Sequence, residues 1–380
     1  VSALTVVAYN VLFGDAILVS VPERVRGRTA MRHVLIDVGN VLAGPGSTDA
    51  KIFGDVLADV RERLDGRPVD LYVMTHEHMD HVQGLLRARD AGYRLPPVDY
   101  AWLTASANPR YYGRFPEARK QLALHQAAFE RIERMALQQG LLGMAPVRAF
   151  LDNNNPRRTA DCVDFLRKLS RKKTSFVHRG FAAVAGRHHP FREARFSIWA
   201  PEEDTTAYYG RLRPVAPAPT RKGRRLRAPQ GVAQDAFDAL VEFSRSGLGD
   251  SMLAIDRAAN NTSVVFALEW HGWRLLFTGD AEVRSWRTMH RHRQLRPVHF
   301  LKVGHHASHN GTPPDDLLDL ILPRRRPDDR QRSALVSTCT GAYAGVPDPA
   351  TMTRLTDRVD RAVTTSEVAA GKSIELTFEG

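Results

Sequence analysis

Val69-Asp70-Leu71-Tyr72-Val73-Met74-Thr75-His76-Glu77-His78-Met79-Asp80-His81 is the stretch that decides how this chain is read. Its first half is apolar and rich in β-formers, and predicts a buried strand. Its second half places His76, His78, Asp80 and His81 on the following loop, at the end of a rigid sheet where reactive groups are usually mounted. In an extended backbone residues two apart point the same way, so His76 and His78 share a side. Asp80 and His81 follow at once, and a turn there aims them at a neighbouring point. Such a cluster suits two adjacent divalent metals holding a hydroxide between them, able to attack a phosphoryl or carbonyl centre. A lone histidine would be a solvated turn residue; a run of ligand types behind a buried strand is not read that way.

Two later segments repeat the pattern. Leu275-Leu276-Phe277-Thr278-Gly279-Asp280 is an apolar strand, a glycine for the tight turn, and a carboxylate whose two oxygens can bridge metals. Leu301-Lys302-Val303-Gly304-His305-His306 does the same with histidine.

Outward from these turns, short β-branched runs at 4–9, 16–21 and 33–38 predict strands, as do 100–103, 195–200, 300–303, 334–337 and 374–378. Residues 262–270 and 273–278 predict a hairpin turning at His271-Gly272. Helical spacing covers 49–64, 117–139, 159–171, 234–246 and 315–322, and 82–86 opens a helix facing the ligands. The implied fold class is α/β: two sheets face to face with helices outside. Residues 105–195 read as a mostly helical insertion, and 201–230 as a Pro/Arg-rich loop.

The ordered motifs resemble the metallo-β-lactamase fold superfamily, an αββα sandwich, and within it the C-terminal hydrolase domain of ComEC-type competence proteins. Phe13-Gly14-Asp15-Ala16, Leu35-Ile36-Asp37-Val38-Gly39, the His76–His81 cluster, Asn261-Thr262-Ser263-Val264-Val265, Thr278-Gly279-Asp280 and the run 301–308 match that family's elements in order, and the resemblance implies a single domain with its core at 1–104 and 256–380. The resemblance implies that His76 and His78 hold one metal, Asp80 and His81 a second, that Asp280 bridges them and that His305 completes the second site. Asp37 would orient these ligands by hydrogen bonds. Asp80 and Asp280 would move protons. His306, Ser308 and His309, with Lys302, would serve the leaving group or the scissile phosphate. Many relatives carry a further histidine on the first metal; His125, His178, His188 and His189 are available but read as surface or loop residues.

The expected cofactors are two divalent ions, Zn2+ by the histidine-rich set, with Mn2+ also suited to the carboxylates. Lys plus Arg is 54 against 42 acidic residues, a net charge of +12, which favours polyanions. The expected activity is therefore phosphodiester hydrolysis in DNA or RNA. The alternatives are hydrolysis of a small phosphodiester or ester, and a nucleic-acid-binding module without catalysis. Only Cys162 and Cys339 occur, so no disulfide framework is expected. No apolar run is long enough to span a bilayer and no signal-peptide pattern is read at the start, so the expected compartment is the cytoplasm without membrane association. No protein partner can be named.

Overall fold

The computed structural model describes residues 3–25, 27–41, 50–138, 140–210, 212, 248–325, 328–339, 341 and 345–380. Every residue of the strand Val69–Met74 is buried, which requires cover on both faces of its sheet. Leu71 and Val73 enter one core, and Tyr72 and Met74 enter another.

The strands are β1 (Ala3–Tyr9), β2 (Ala16–Val25), β3 (Arg28–Val38), β4 (Val69–Met74), β5 (Val98–Thr104), β6 (Ser170–Val177), β7 (Arg195–Ala200), β8 (Val265–Trp270), β9 (Trp273–Phe277), β10 (Phe300–Lys302), β11 (Ser333–Val336), β12 (Arg361–Thr364) and β13 (Ser373–Glu379). They form two mixed sheets, one of order β13-β1-β2-β3-β4-β5-β6 and one of order β12-β11-β10-β9-β8-β7. The first is antiparallel from β13 to β3 and parallel from β3 to β6. The second is parallel from β12 to β9 and antiparallel from β9 to β7.

The helices are α1 (Ala50–Leu64), α2 (Met79–Asp90), α3 (Tyr111–Arg114), α4 (Pro116–Gln138), α5 (Ala145–Asn153), α6 (Pro156–Arg167), α7 (Leu248–Asn260), α8 (Val283–Arg291), α9 (Asp315–Ile321) and α10 (Pro349–Thr356). Leu71, Val73 and Trp102 of the first sheet share a core with Phe266, Phe277 and Phe300 of the second. The other face of the first sheet packs on α1, α2 and α6 through Phe53, Val82 and Val163. The other face of the second packs on α8 and α9 through Trp286 and Leu318. The molecule is thus a mixed α/β protein with helices on the outer faces of two sheets. A separate small core of Phe129, Ile132, Phe150 and Ile255 ties α4, α5 and α7 together.

The hairpin turns at His271 and Gly272, both at positive φ, as two-residue hairpin loops require. The helix expected at 159–171 ends instead at Arg167, and the expected helical insertion is interrupted. Ser170–Val177 becomes β6, paired in parallel with β5. Arg171 and Lys172 both reach the Asp99 carboxylate at 2.7 Å. That pairing offsets part of the strand's positive charge. The helix expected at 234–246 and most of the loop at 201–230 lie outside the described residues.

Candidate metal centre

β4 delivers the ligand cluster, but α2 begins at Met79, earlier than the expected start at Val82, with His78 as its N-cap. Asp80 and His81 therefore lie in the first helical turn. Two glycines fix that turn. A side chain on Gly39 would run into the Asp80–His81 peptide, and one on Gly14 into the carbonyls of Gly39 and Asp80. The Asp15 N–H donates to the Asp80 carbonyl at 3.1 Å, and the Gly39 N–H to the Asp15 carbonyl at 3.0 Å.

One ligand atom each from Asp80, His81, Asp280 and His306 converges within 4.8 Å, all four residues buried. His306 Nε2 lies 3.1 Å from Asp80 Oδ2 and 3.3 Å from Asp280 Oδ2. His81 Nε2 lies 3.3 Å from Asp280 Oδ2 and 3.8 Å from Asp80 Oδ2. The far side of each group is held by the protein. His81 Nδ1 sits 2.8 Å from Asp37 Oδ2, and Asp37 also accepts from the Thr75 N–H at 2.8 Å and the Thr75 hydroxyl at 2.6 Å. His306 Nδ1 is 2.7 Å from the Ser337 carbonyl, so it donates there and leaves Nε2 free to coordinate. Asp280 Oδ1 accepts from the His305 N–H at 3.0 Å and from Lys302 at 3.4 Å. Lys302 is in turn paired with Asp15.

Beside this group, His76 and His78 bring Nε2 and Nδ1 to 3.1 Å of each other, and with Asp80 they form a second convergent set. The His78 Nε2 faces Asn154 Oδ1 at 2.9 Å, and Asn153 Oδ1 accepts from the Asp80 N–H at 3.1 Å. Asp256 of α7 approaches the same His78 nitrogen at 3.9 Å.

Electrostatics hold the four-residue group together. Burial works against charge on His81, but the carboxylates of Asp280, Asp80 and Asp37 outweigh it and hold the ring well above the usual histidine range. His306 is pushed up to about 10, burial again being overcome by Asp280 and Asp80. Asp80 and Asp280 are held below the carboxylate range, because His81 and His306 (and Lys302 for Asp280) overcome the burial that would raise them. His76 is driven well down by burial and by its histidine neighbours. Without a metal the centre thus stores compensating protons on His81 and His306. Two of its buried atoms, His81 Nε2 and Asp80 Oδ1, make no hydrogen bond. Orphaned buried atoms inside a convergent set of imidazoles and carboxylates fit a divalent ion, and these groups can hold one.

The structure brings together His76, His78, Asp80, His81, Asp280 and Asp37 as the motifs imply, and departs from them at the third turn. His305 does not join the group, and its place is taken by His306. His305, His306 and Ala307 all have positive φ, at 48°, 54° and 60°, and this left-handed run turns the second imidazole inward. His305 is 23% exposed and lies 3.5 Å from Glu282 and 3.8 Å from Asp256. Lys302, expected to meet substrate, is 1% exposed and engaged with Asp15. Ser308 donates to Asn310 Oδ1 at 3.0 Å, and His309 is exposed.

None of the four other histidines reaches His76 and His78. His125, His188 and His189 are not surface residues either: they are 4%, 8% and 3% exposed, His189 packing on Trp102 and Phe196. Sequence reasoning missed Asn153, Asn154, Asp256, Glu282 and the pairing of Asp15 with Lys302. One signal was present: the run Asn153-Asn154-Asn155 breaks a helical stretch, and only Asn155 serves as an N-cap, accepting from Arg157 and Arg158. No family model and no curated protein matches the chain, so its chemistry rests on the residues above.

Proposed function

We propose that the chain is a metal-dependent hydrolase of phosphodiesters, built on the αββα sandwich of the metallo-β-lactamase type and akin to the hydrolase domain of ComEC-type proteins. The observation that carries this reading is the convergence of Asp80, His81, Asp280 and His306 beside His76 and His78. Divalent ions held there, zinc or manganese by donor type, would supply a water activated near neutral pH and charge stabilisation for the phosphoryl oxygens. The protein's own work is positioning. Asp37, Ser337 and Lys302 aim three ligands from behind, and Asn153 fixes the backbone of Asp80. His305, between Glu282 and Asp256, would give a proton from its ring to the departing oxygen.

The net charge of +12 supports a nucleic acid as substrate. A small phosphodiester is favoured by a different observation: His76, His78, Asp80, His81, Asp280 and His306 are all 0–2% exposed, with Asn154 and Asp256 laid over His78. The test is a cleavage screen of the zinc- and manganese-loaded protein. It covers single- and double-stranded DNA, RNA, dinucleotides and bis-p-nitrophenyl phosphate, beside His76→Ala and Asp80→Ala. Cleavage of at least one diester, lost in both variants, is the expected result. Salt-sensitive nucleic-acid binding with no turnover in either metal overturns it in favour of a binding module.

A further inference from the structure

A cleft of about 250 Å³ opens beside His78 between residues of α4, α6 and α7, and its lining includes Glu77, Tyr112, His125, Phe129, Thr159 and Tyr209. Two of its lining residues carry polar atoms that are buried and make no hydrogen bond: His125 Nε2 and Thr159 Oγ1. His125 and Thr159 are 4% and 8% exposed. The ring of His125 donates through its other nitrogen to the Gly210 backbone, which leaves Nε2 as the unpaired atom of the ring. Tyr112, Phe129 and Tyr209 bring aromatic rings to the same lining, the His125 and Tyr209 rings lying edge to face at 5.0 Å. Glu77 adds a carboxyl to the lining, held by the Ser106 hydroxyl at 3.0 Å.

This lining selects its occupant. A purely apolar group would leave His125 Nε2 and Thr159 Oγ1 unpaired. A flat ring with hydrogen-bonding edges satisfies both, in the way unstacked bases are bound by proteins. Size agrees, since a dry cavity of about 150 Å³ holds benzene and this one has room for a larger ring system.

We propose that the cavity is a base-binding subsite, which takes one heteroaromatic ring of nucleobase size and presents the attached phosphodiester to His76 and His78. The substrate is then a small nucleotide or a chain end, not the interior of a long polymer. The reaction rests on the phosphodiesterase reading; the binding does not.

Calorimetric titration of the zinc-loaded full chain with adenosine and uridine 5′-monophosphates tests it, with ribose 5-phosphate as the base-free probe and hexanoate as the apolar one. At least one nucleotide is expected to bind tenfold or more tightly than ribose 5-phosphate. Phe129→Trp, which fills the cavity, and the milder Thr159→Val should each shrink that preference while leaving ribose 5-phosphate unaffected. Equal affinity for nucleotide and sugar phosphate, tighter binding of hexanoate, or an unchanged preference in a folded Thr159→Val protein overturns the subsite. Cleavage of bis-p-nitrophenyl phosphate is measured in parallel. Base-dependent binding without cleavage sinks the hydrolase and keeps the subsite; cleavage without base preference does the reverse.

Discussion

Asp37 Oδ2 lies 2.8 Å from Nδ1 of His81, and this contact leaves the other ring nitrogen facing Asp80 and Asp280. Partners of this kind fix the tautomer and orientation of a ligating histidine. Asp37 has a φ of 50°, which asparagine tolerates well, so Asp37→Asn removes the charge with little backbone strain. Its metal affinity should fall about 10–100-fold, measured by competition with a chromophoric chelator. Unchanged affinity in a folded variant would show that Asp37 serves only Thr75.

His305 and His306 should separate cleanly. His306→Ala is expected to lose the ion held with Asp80, His81 and Asp280, seen as a lower metal content after dialysis. His305→Ala should keep its metal and lose turnover, seen as a fall in kcat at unchanged metal content. The opposite pattern would restore His305 as the ligand.

Metal uptake should be coupled to protons. Below pH about 10 His306 carries a proton in the metal-free protein, and His81 is held protonated by the same carboxylates. An ion must displace those protons, so apparent affinity rises with pH and falls as the solution is acidified. Titrations at pH 7.5 in buffers of different ionisation enthalpy should report net proton release. Zero release would mean that the two rings are neutral before metal arrives.

Lys302 is a test of structure against substrate contact. Its ammonium faces Asp15 and Asp280 with 1% exposure. Lys302→Met leaves two buried carboxylates without their cation, and should destabilise the metal-free protein by about 3–5 kcal/mol, read from its urea midpoint. A substrate-binding lysine would instead raise KM without moving that midpoint.

The strands that end in ligands were legible because each is a short apolar run closed by glycine or by a polar cluster, patterns that local chemistry sets. β6 was not, since Arg171 and Lys172 hide its alternation until Asp99 is brought alongside. The choice between His305 and His306 depends on three successive left-handed residues, and only the glycine before them hints at such a turn. Asn154 was out of reach for a different reason. It meets His78 across 76 positions of chain, and only the folding of α5 onto α2 brings the two together.

Asp80 and His306 stand 226 positions apart in the chain, one at the end of each sheet. An ion shared between them is a cross-link, closing a loop of the unfolded chain far longer than most disulfides span. Its binding energy is then also folding energy, and it bears on the seam between the two sheets. A chelator that silences the centre would at the same time unfasten that seam, and a protease should find the stripped protein before it finds the loaded one.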